Sequence, residues 1–232
     1  MKIIYEDEDI LVADKPSGMP IHPSRMHQGD TLSDAVRDYL GRPDDFVFRA
    51  INRLDKDTSG LVLIAKNIEA ARKLYADMEA GLIHREYVAT VEDDGTLPEN
   101  GTIDKNIKRL NEDDCHDIRR TVCDRSEGGK HAVTHYSVLK RENGKAVIRC
   151  ILDTGRTHQI RVHMTHIGHP LVGDELYAQL YGYSIDPEWM PRQALHAERL
   201  RFSHPSQNKI VDVSADLPAD MVECLKYLHL DF

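Results

Sequence analysis

The sequence predicts an α+β protein, with a mixed, largely antiparallel central sheet flanked by helices and loops. Three observations carry this. Strand-like apolar runs follow one another directly or with a single helix between, unlike a regular βαβ repeat. One pair, Val133–Lys140 and Lys145–Leu152, reads as a hairpin around Glu142-Asn143-Gly144, and helix-period apolar stripes occur only in isolated stretches. In chain order, a first strand is expected from residue 2 or 3 and a second over Ile10–Ala13, ended by the turn-rich Lys15-Pro16-Ser17-Gly18-Met19-Pro20. Leu32, Ala35, Val36, Tyr39 and Leu40 lie on one face of a helix opened by Asp30 or Thr31. Leu61–Ala65 reads as a buried strand. Asn67 caps a second helix that turns Ala70, Ala71, Leu74 and Met78 inward and stops at Gly81. Arg85–Glu92 is strand-like, and the stretch 93–131, rich in Asp, Glu, Asn and Gly, is expected to be a polar surface excursion. Beyond the hairpin, Thr157 is expected to cap a helix through about His166 that buries Ile160, Met164 and Ile167. Ala194–Phe202 and Lys209–Val213 read as late strands, and a terminal helix turns Met221, Cys224, Leu225 and Leu228 inward. Residues 1–232 are read as a single domain without internal repeats.

Composition narrows the class. The 232 residues carry 30 basic and 39 acidic side chains, net −9, and no apolar run approaches the ~18 residues a membrane helix needs. The N-terminal apolar stretch is too short for a signal peptide. Cys115, Cys123, Cys150 and Cys224 contain no Cys-x-x-Cys pair and are too sparse for a disulfide scaffold, so a reducing cytoplasm is the expected compartment. The charge is uneven: residues 131–171 hold six basic groups against two acidic ones, together with six of the 13 histidines. A basic segment in an acidic protein can make an anion-facing wall; it can equally be a set of solvated side chains.

The most informative run is Asn52-Arg53-Leu54-Asp55-Lys56-Asp57-Thr58-Ser59-Gly60, directly before the apolar strand. A carboxylate on a loop between a basic neighbour and a Thr-Ser-Gly turn is stabilised as the anion, and a positioned anion is a competent nucleophile or general base. The plainer alternative is an Asx-turn in which Asp55 satisfies backbone N–H groups.

This run resembles the R-L-D-x-x-T-S-G signature of the RluA-type pseudouridine synthases, here Arg53 to Gly60. Further blocks in family order strengthen the resemblance: Asp14 to Pro23, Arg85-Glu86-Tyr87-Val88-Ala89, Gly129 to Tyr136, Thr154 to His163, Ile167-Gly168-His169-Pro170 with Gly173-Asp174, and Leu195-His196-Ala197 with His204-Pro205. They span about residues 3–215, nearly the whole chain. The resemblance implies the pseudouridine synthase fold and isomerisation of uridine to pseudouridine in structured ribosomal or transfer RNA, with no cofactor, no metal and no membrane, by a monomer. It places the nucleophile on Asp55. Tyr87 stacks on the uracil and assists proton transfer at C5, and Arg161 is the basic partner, able to pair bidentately with Asp55. Arg161 in the first turn of a helix adds about 0.3–1 kcal/mol of dipole stabilisation for that carboxylate. The target base must leave its stack, and Arg53 is placed to occupy the vacated space. Lys15, Asn52, Thr58, Ser59, Gly60, Arg156 and His158 are expected to support the site or contact RNA. Asn52 stands where relatives commonly carry histidine; it replaces an orienting histidine through hydrogen bonds, or alters substrate choice if that histidine meets RNA. Relatives often carry a small RNA-binding domain ahead of the catalytic one, and none is expected here.

Three rival readings compete with this one. Asp153-Thr154-Gly155 matches the aspartic-protease triplet, but such a site needs two carboxylates sharing a proton in a dry cleft, and Arg156 opposes that state. Cys115, Cys123, His131 and His135 have the wrong spacing for a zinc knuckle, and His158, His163, His166 and His169 lack a metalloprotease pattern. A non-catalytic RNA-binding or RNA-folding relative loses weight because Asp55, Tyr87 and Arg161 occur together.

Overall fold

A computed structural model describes residues 1–24, 27–41, 46–111, 113, 118–179, 182 and 190–229. Among these, twelve strands and five α-helices occur in the order β1 (Lys2–Glu6), β2 (Ile10–Lys15), α1 (Leu32–Tyr39), β3 (Arg49–Ala50), β4 (Ser59–Ala65), α2 (Ile68–Glu79), β5 (His84–Glu92), β6 (Asn100–Asp104), β7 (Asn106–Arg109), β8 (Arg120–Cys123), β9 (Val133–Glu142), β10 (Lys145–Leu152), α3 (Gln159–His166), α4 (Glu175–Ala178), β11 (Leu195–Ser203), β12 (Ile210–Ser214) and α5 (Ala219–Tyr227). None of the described helices is long and apolar enough to cross a membrane. The α+β expectation holds, and the residues group into two compact units: Met1–Arg85 with Ala197–Asp216, and Glu86–His196 with Leu217–Phe232.

In the first unit β1, β2, β4 and β11 lie side by side, with β3 on β4 and β12 on β11. The β1–β2 and β2–β4 pairings are antiparallel. Asp7 makes the first turn: its carboxylate accepts the N–H groups of Asp9 and Ile10 at 3.0 Å each. Burial opposes that anion, yet these bonds and those from Tyr5 and His204 win and hold it at about 2. Helix α1 opens at Thr31 with a reciprocal box, Thr31 Oγ1 accepting from Asp34 N–H while Asp34 accepts from Thr31 N–H. Every residue of β4 is buried. Its Leu61, Leu63 and Ala65 pack with Ile10 and Val12 of β2 and with Ala70, Ala71 and Leu74 of α2.

The structure corrects the start of β4, which includes Ser59 and Gly60 rather than beginning at Leu61, because Gly60 pairs with Lys15 on β2. Gly60 has φ +110°, and a Cβ there would sit 2.3 Å from the carbonyl oxygen of Ala197. Gly60→Ala therefore combines a backbone strain with a main-chain clash, and is expected to lower stability by roughly 3 kcal/mol or more. Urea unfolding checks this; a loss under about 1 kcal/mol would contradict the contact.

In the second unit β5, β10, β9 and β6 form an antiparallel series, beside the separate pair β7–β8. The β9–β10 hairpin turns on Asn143 and Gly144, with φ +52° and +73°, the left-handed pair that a two-residue turn requires. The polar stretch 93–131 contains β6, β7 and β8, and Ile107 of β7 is buried with Ala132, Val162 and Tyr177. Helix α5 sends Met221, Cys224, Leu225 and Leu228 into a cluster with Val88, Val147 and Val172. Helix α3 is the clearest local departure. It starts at Gln159, and the residue before it is not a capping threonine but His158, in a left-handed conformation (φ 59°, ψ 22°). Gln159 organises the preceding loop instead: its Oε1 accepts from Thr154 Oγ1 and Arg156 N–H, and its Nε2 donates to Val133 O and Thr134 Oγ1.

His163 of α3 is fully buried, with Nδ1 3.0 Å from Thr134 Oγ1 and Nε2 3.4 Å from the Lys105 carbonyl. Burial pushes its pKa down to about 4 from 6.5. Between those pH values the unfolded chain binds the proton and the folded one does not. The stability tied to neutral His163 is thus complete above pH 6.5 and is lost as pH falls toward 4, on the order of 3 kcal/mol in all. His163→Gln is expected to flatten that part of the stability–pH curve; an unchanged slope would contradict it.

Candidate active site

The Asp55 loop is tied down from three sides within the first unit. Ile51 N–H donates to the Leu63 carbonyl at 2.8 Å. Asn52 then continues the pairing with its side chain, Nδ2 donating to Leu61 O at 3.0 Å and Oδ1 accepting from Leu63 N–H at 2.8 Å. Asn52 is buried, with both ends of its amide on the β4 main chain, the geometry of a loop anchor. Lys15, fully buried at the end of β2, donates from its ammonium to the carbonyls of Pro16 and Met19 at 2.9 Å and of Lys56 at 2.8 Å. That single cation fastens the residue after Asp55 to the Pro16–Met19 turn. Thr58 N–H donates to the Asp55 carbonyl at 3.1 Å and closes the loop. Thr58 and Ser59 are buried, Leu54 is buried, Asp55 is partly exposed and Arg53 is exposed. His22, edge-on to Phe48 at 5.3 Å, has its pKa lowered by burial and by Arg53.

In the second unit Tyr87 lies on β5 opposite Cys150 of β10 and is buried. Arg161 is the third residue of α3. Its Nε donates to Asp174 Oδ2 at 2.7 Å and its Nη2 to Asp174 Oδ1 at 2.8 Å. Both side chains are buried, and Arg161 Cζ lies 5.0 Å from the centre of the Tyr177 ring. The Tyr177 hydroxyl accepts from Arg120 N–H at 2.8 Å and is 2.8 Å from His158 Nδ1. Arg156 is exposed, its Nε donating to the His131 carbonyl at 2.8 Å. Sequence reasoning picked out Arg161 and His158 but missed Asp174 and Tyr177 as their partners. The available signal was an Asp and a Tyr three residues apart, following Leu171-Val172-Gly173.

The basic character of 131–171 is smaller in space than along the chain. Arg141 pairs with Asp93 and Glu99, Lys145 with Glu92, Arg149 with Glu86 and Arg161 with Asp174. The carboxylates at 86 and 92 sit on β5, the strand next to β10, so cross-strand neighbours neutralise what a linear window counts as surplus. The protease reading fails on its own terms: Asp153 is 58% exposed and bonded to His135, not in a dry cleft. Of the residues read as metal ligands, His131 bonds Asp104 and His135 bonds Asp153 and Thr102. Cys123 lies by the Gly128 carbonyl, and Cys115 is outside the described residues.

The first unit thus holds a loop-borne aspartate anchored by a buried lysine, and the second a helix-borne arginine locked by a buried aspartate. Comparison with known proteins assigns the class. Residues 9–166 match the family described as RNA pseudouridylate synthase, and the chain belongs to that family. It is an RNA pseudouridine synthase. Among its relatives, the ribosomal large subunit pseudouridine synthase D of Pseudomonas aeruginosa is 42% identical over 244 residues, covering 100% of this chain and 72% of that protein. The protein of the same name from Escherichia coli is 38% identical over 245 residues, covering 100% and 72%. The fold is shared with human RNA pseudouridylate synthase domain containing 4 (TM-score 0.77, 22% identity, 99% of this chain and 94% of that one). The human domain-containing 1 protein gives a TM-score of 0.75 at 26% identity, over 96% and 86% of the two chains.

Proposed function

We propose that the chain isomerises one or a few uridines of large-subunit ribosomal RNA to pseudouridine. The observation that carries the choice of RNA is the 42% identity, along the whole chain, to a protein named for the ribosomal large subunit. In this reading the uridine is flipped out of its stack and Arg53, exposed beside Asp55, fills the gap. Asp55 is the nucleophile. The bond from N1 to the ribose breaks, the base turns, and C5 bonds to the ribose carbon. The C5 hydrogen departs as a proton and N1 gains one, so the change is redox-neutral and the atoms balance. Tyr87 stacks on the uracil and assists the C5 proton transfer. Arg161 is the basic partner of Asp55. Asp174 holds the Nε and Nη2 groups of the Arg161 guanidinium. Lys15, Asn52, Thr58, Ser59 and Gly60 hold the Asp55 loop, and His158 and Arg156 shape the entry to α3.

Pseudouridine mapping of total RNA, with and without the gene, tests the target. Loss of one or more sites confined to large-subunit ribosomal RNA is expected. Loss confined to transfer RNA would overturn the assignment.

A further inference from the structure

We propose that Asp174 is a positioning residue for the isomerisation, acting through Arg161, with the Tyr177 ring as the surface on which the guanidinium is held. The inference rests on Arg161 being the basic partner, as assigned above. Three observations carry it. First, the Arg161–Asp174 contact is a two-point fork, 2.7 and 2.8 Å, between side chains 7% and 0% exposed. A planar guanidinium bonded at two points can neither rotate about its axis nor slide, so its orientation is fixed. Second, the ring of Tyr177 lies 5.0 Å from Arg161 Cζ and so restrains the guanidinium from one face.

Third, the ring is itself fixed. The Tyr177 oxygen accepts the Arg120 N–H and lies within hydrogen-bond distance, 2.8 Å, of His158 Nδ1. His158 is the left-handed residue that sets the start of α3, and the two rings meet edge-on at 5.7 Å. The helix start, the ring and the fork thus form one connected arrangement around Arg161. Asp174 stands at the start of α4, 1% exposed, and the Arg161 fork occupies both of its oxygens.

The test is a double-mutant cycle on single-turnover pseudouridine formation, with RNA affinity measured alongside. Asp174→Asn keeps the shape but loses the charge and one acceptor. It is expected to lower the rate of the chemical step 30-fold or more while RNA affinity changes less than threefold. In an Arg161→Lys background the same change is expected to cost less than threefold further, because the group Asp174 positions is already gone. Should Asp174→Asn fail to fold, Asp174→Glu is read instead; it keeps the charge but displaces the fork by a methylene, and a tenfold slower step at unchanged RNA affinity is expected. A folded Asp174 variant with wild-type rate overturns the proposal, as does full additivity with Arg161→Lys, which would mean that Asp174 acts apart from Arg161. If Arg161→Lys alone keeps the wild-type rate, it is the role of Arg161 that fails, an outcome separate from the other two.

Discussion

Asp55→Asn is expected to abolish pseudouridine formation while leaving the fold and RNA affinity in place. The loop does not depend on the carboxylate for its closing turn: Thr58 N–H bonds the main-chain carbonyl of Asp55. The anchors on either side, Asn52 on β4 and Lys15 on the Lys56 carbonyl, involve other side chains. Replacing one carboxylate oxygen by an amide nitrogen keeps the shape and removes the proposed nucleophile. Loss of a nucleophile costs roughly 10⁴-fold or more in comparable enzymes, which lies below detection in a tritium-release assay. RNA affinity is expected to stay within threefold. Retained activity within tenfold of wild type would remove Asp55 from the chemistry.

Arg161→Lys is expected to be nearly as damaging, for a different reason. Lysine keeps the charge but offers a point donor in place of a fork, so the two-point bond to Asp174 cannot form. If Arg161 has the proposed role, a cation free to rotate no longer supplies a fixed donor, and a loss of about 10²–10³-fold in the chemical step is expected. Single-turnover rates at saturating enzyme separate this from weaker RNA binding. A near-wild-type rate would show that charge alone suffices, and the fork would have no catalytic consequence.

What could be read from the sequence divides along a physical line. The caps at Thr31 and Asn67, the Asn143-Gly144 turn and the buried run at Leu61–Ala65 rest on signals contained within a few residues, and all are present. The strand β6 rests on a partner far along the chain. Asn100-Gly101-Thr102-Ile103-Asp104 has little strand propensity of its own and is ordered by pairing with Thr134–Ser137 of β9. His158 was not legible as a left-handed residue, since an ordinary histidine disfavours that conformation and the compensating contact comes from Tyr177. Asp55, Tyr87 and Arg161 were found through motif resemblance. Their supports were not: Arg161 and Asp174 are 13 residues apart with a helix and a turn between them, and no local spacing joins them. The buried Lys15 carried a similar ambiguity, because a lysine before a proline-rich turn reads as a surface residue until its three carbonyl acceptors are in view.

Whether this chain turns uridine to pseudouridine in ribosomal RNA through Asp55 is decided on ribosomal RNA from a strain lacking the gene. Purified wild-type protein is expected to install pseudouridine at the same large-subunit positions the deletion loses, approaching one per site, while Asp55→Asn protein installs none. Equal silence of the two proteins, or equal activity, on that RNA would contradict it.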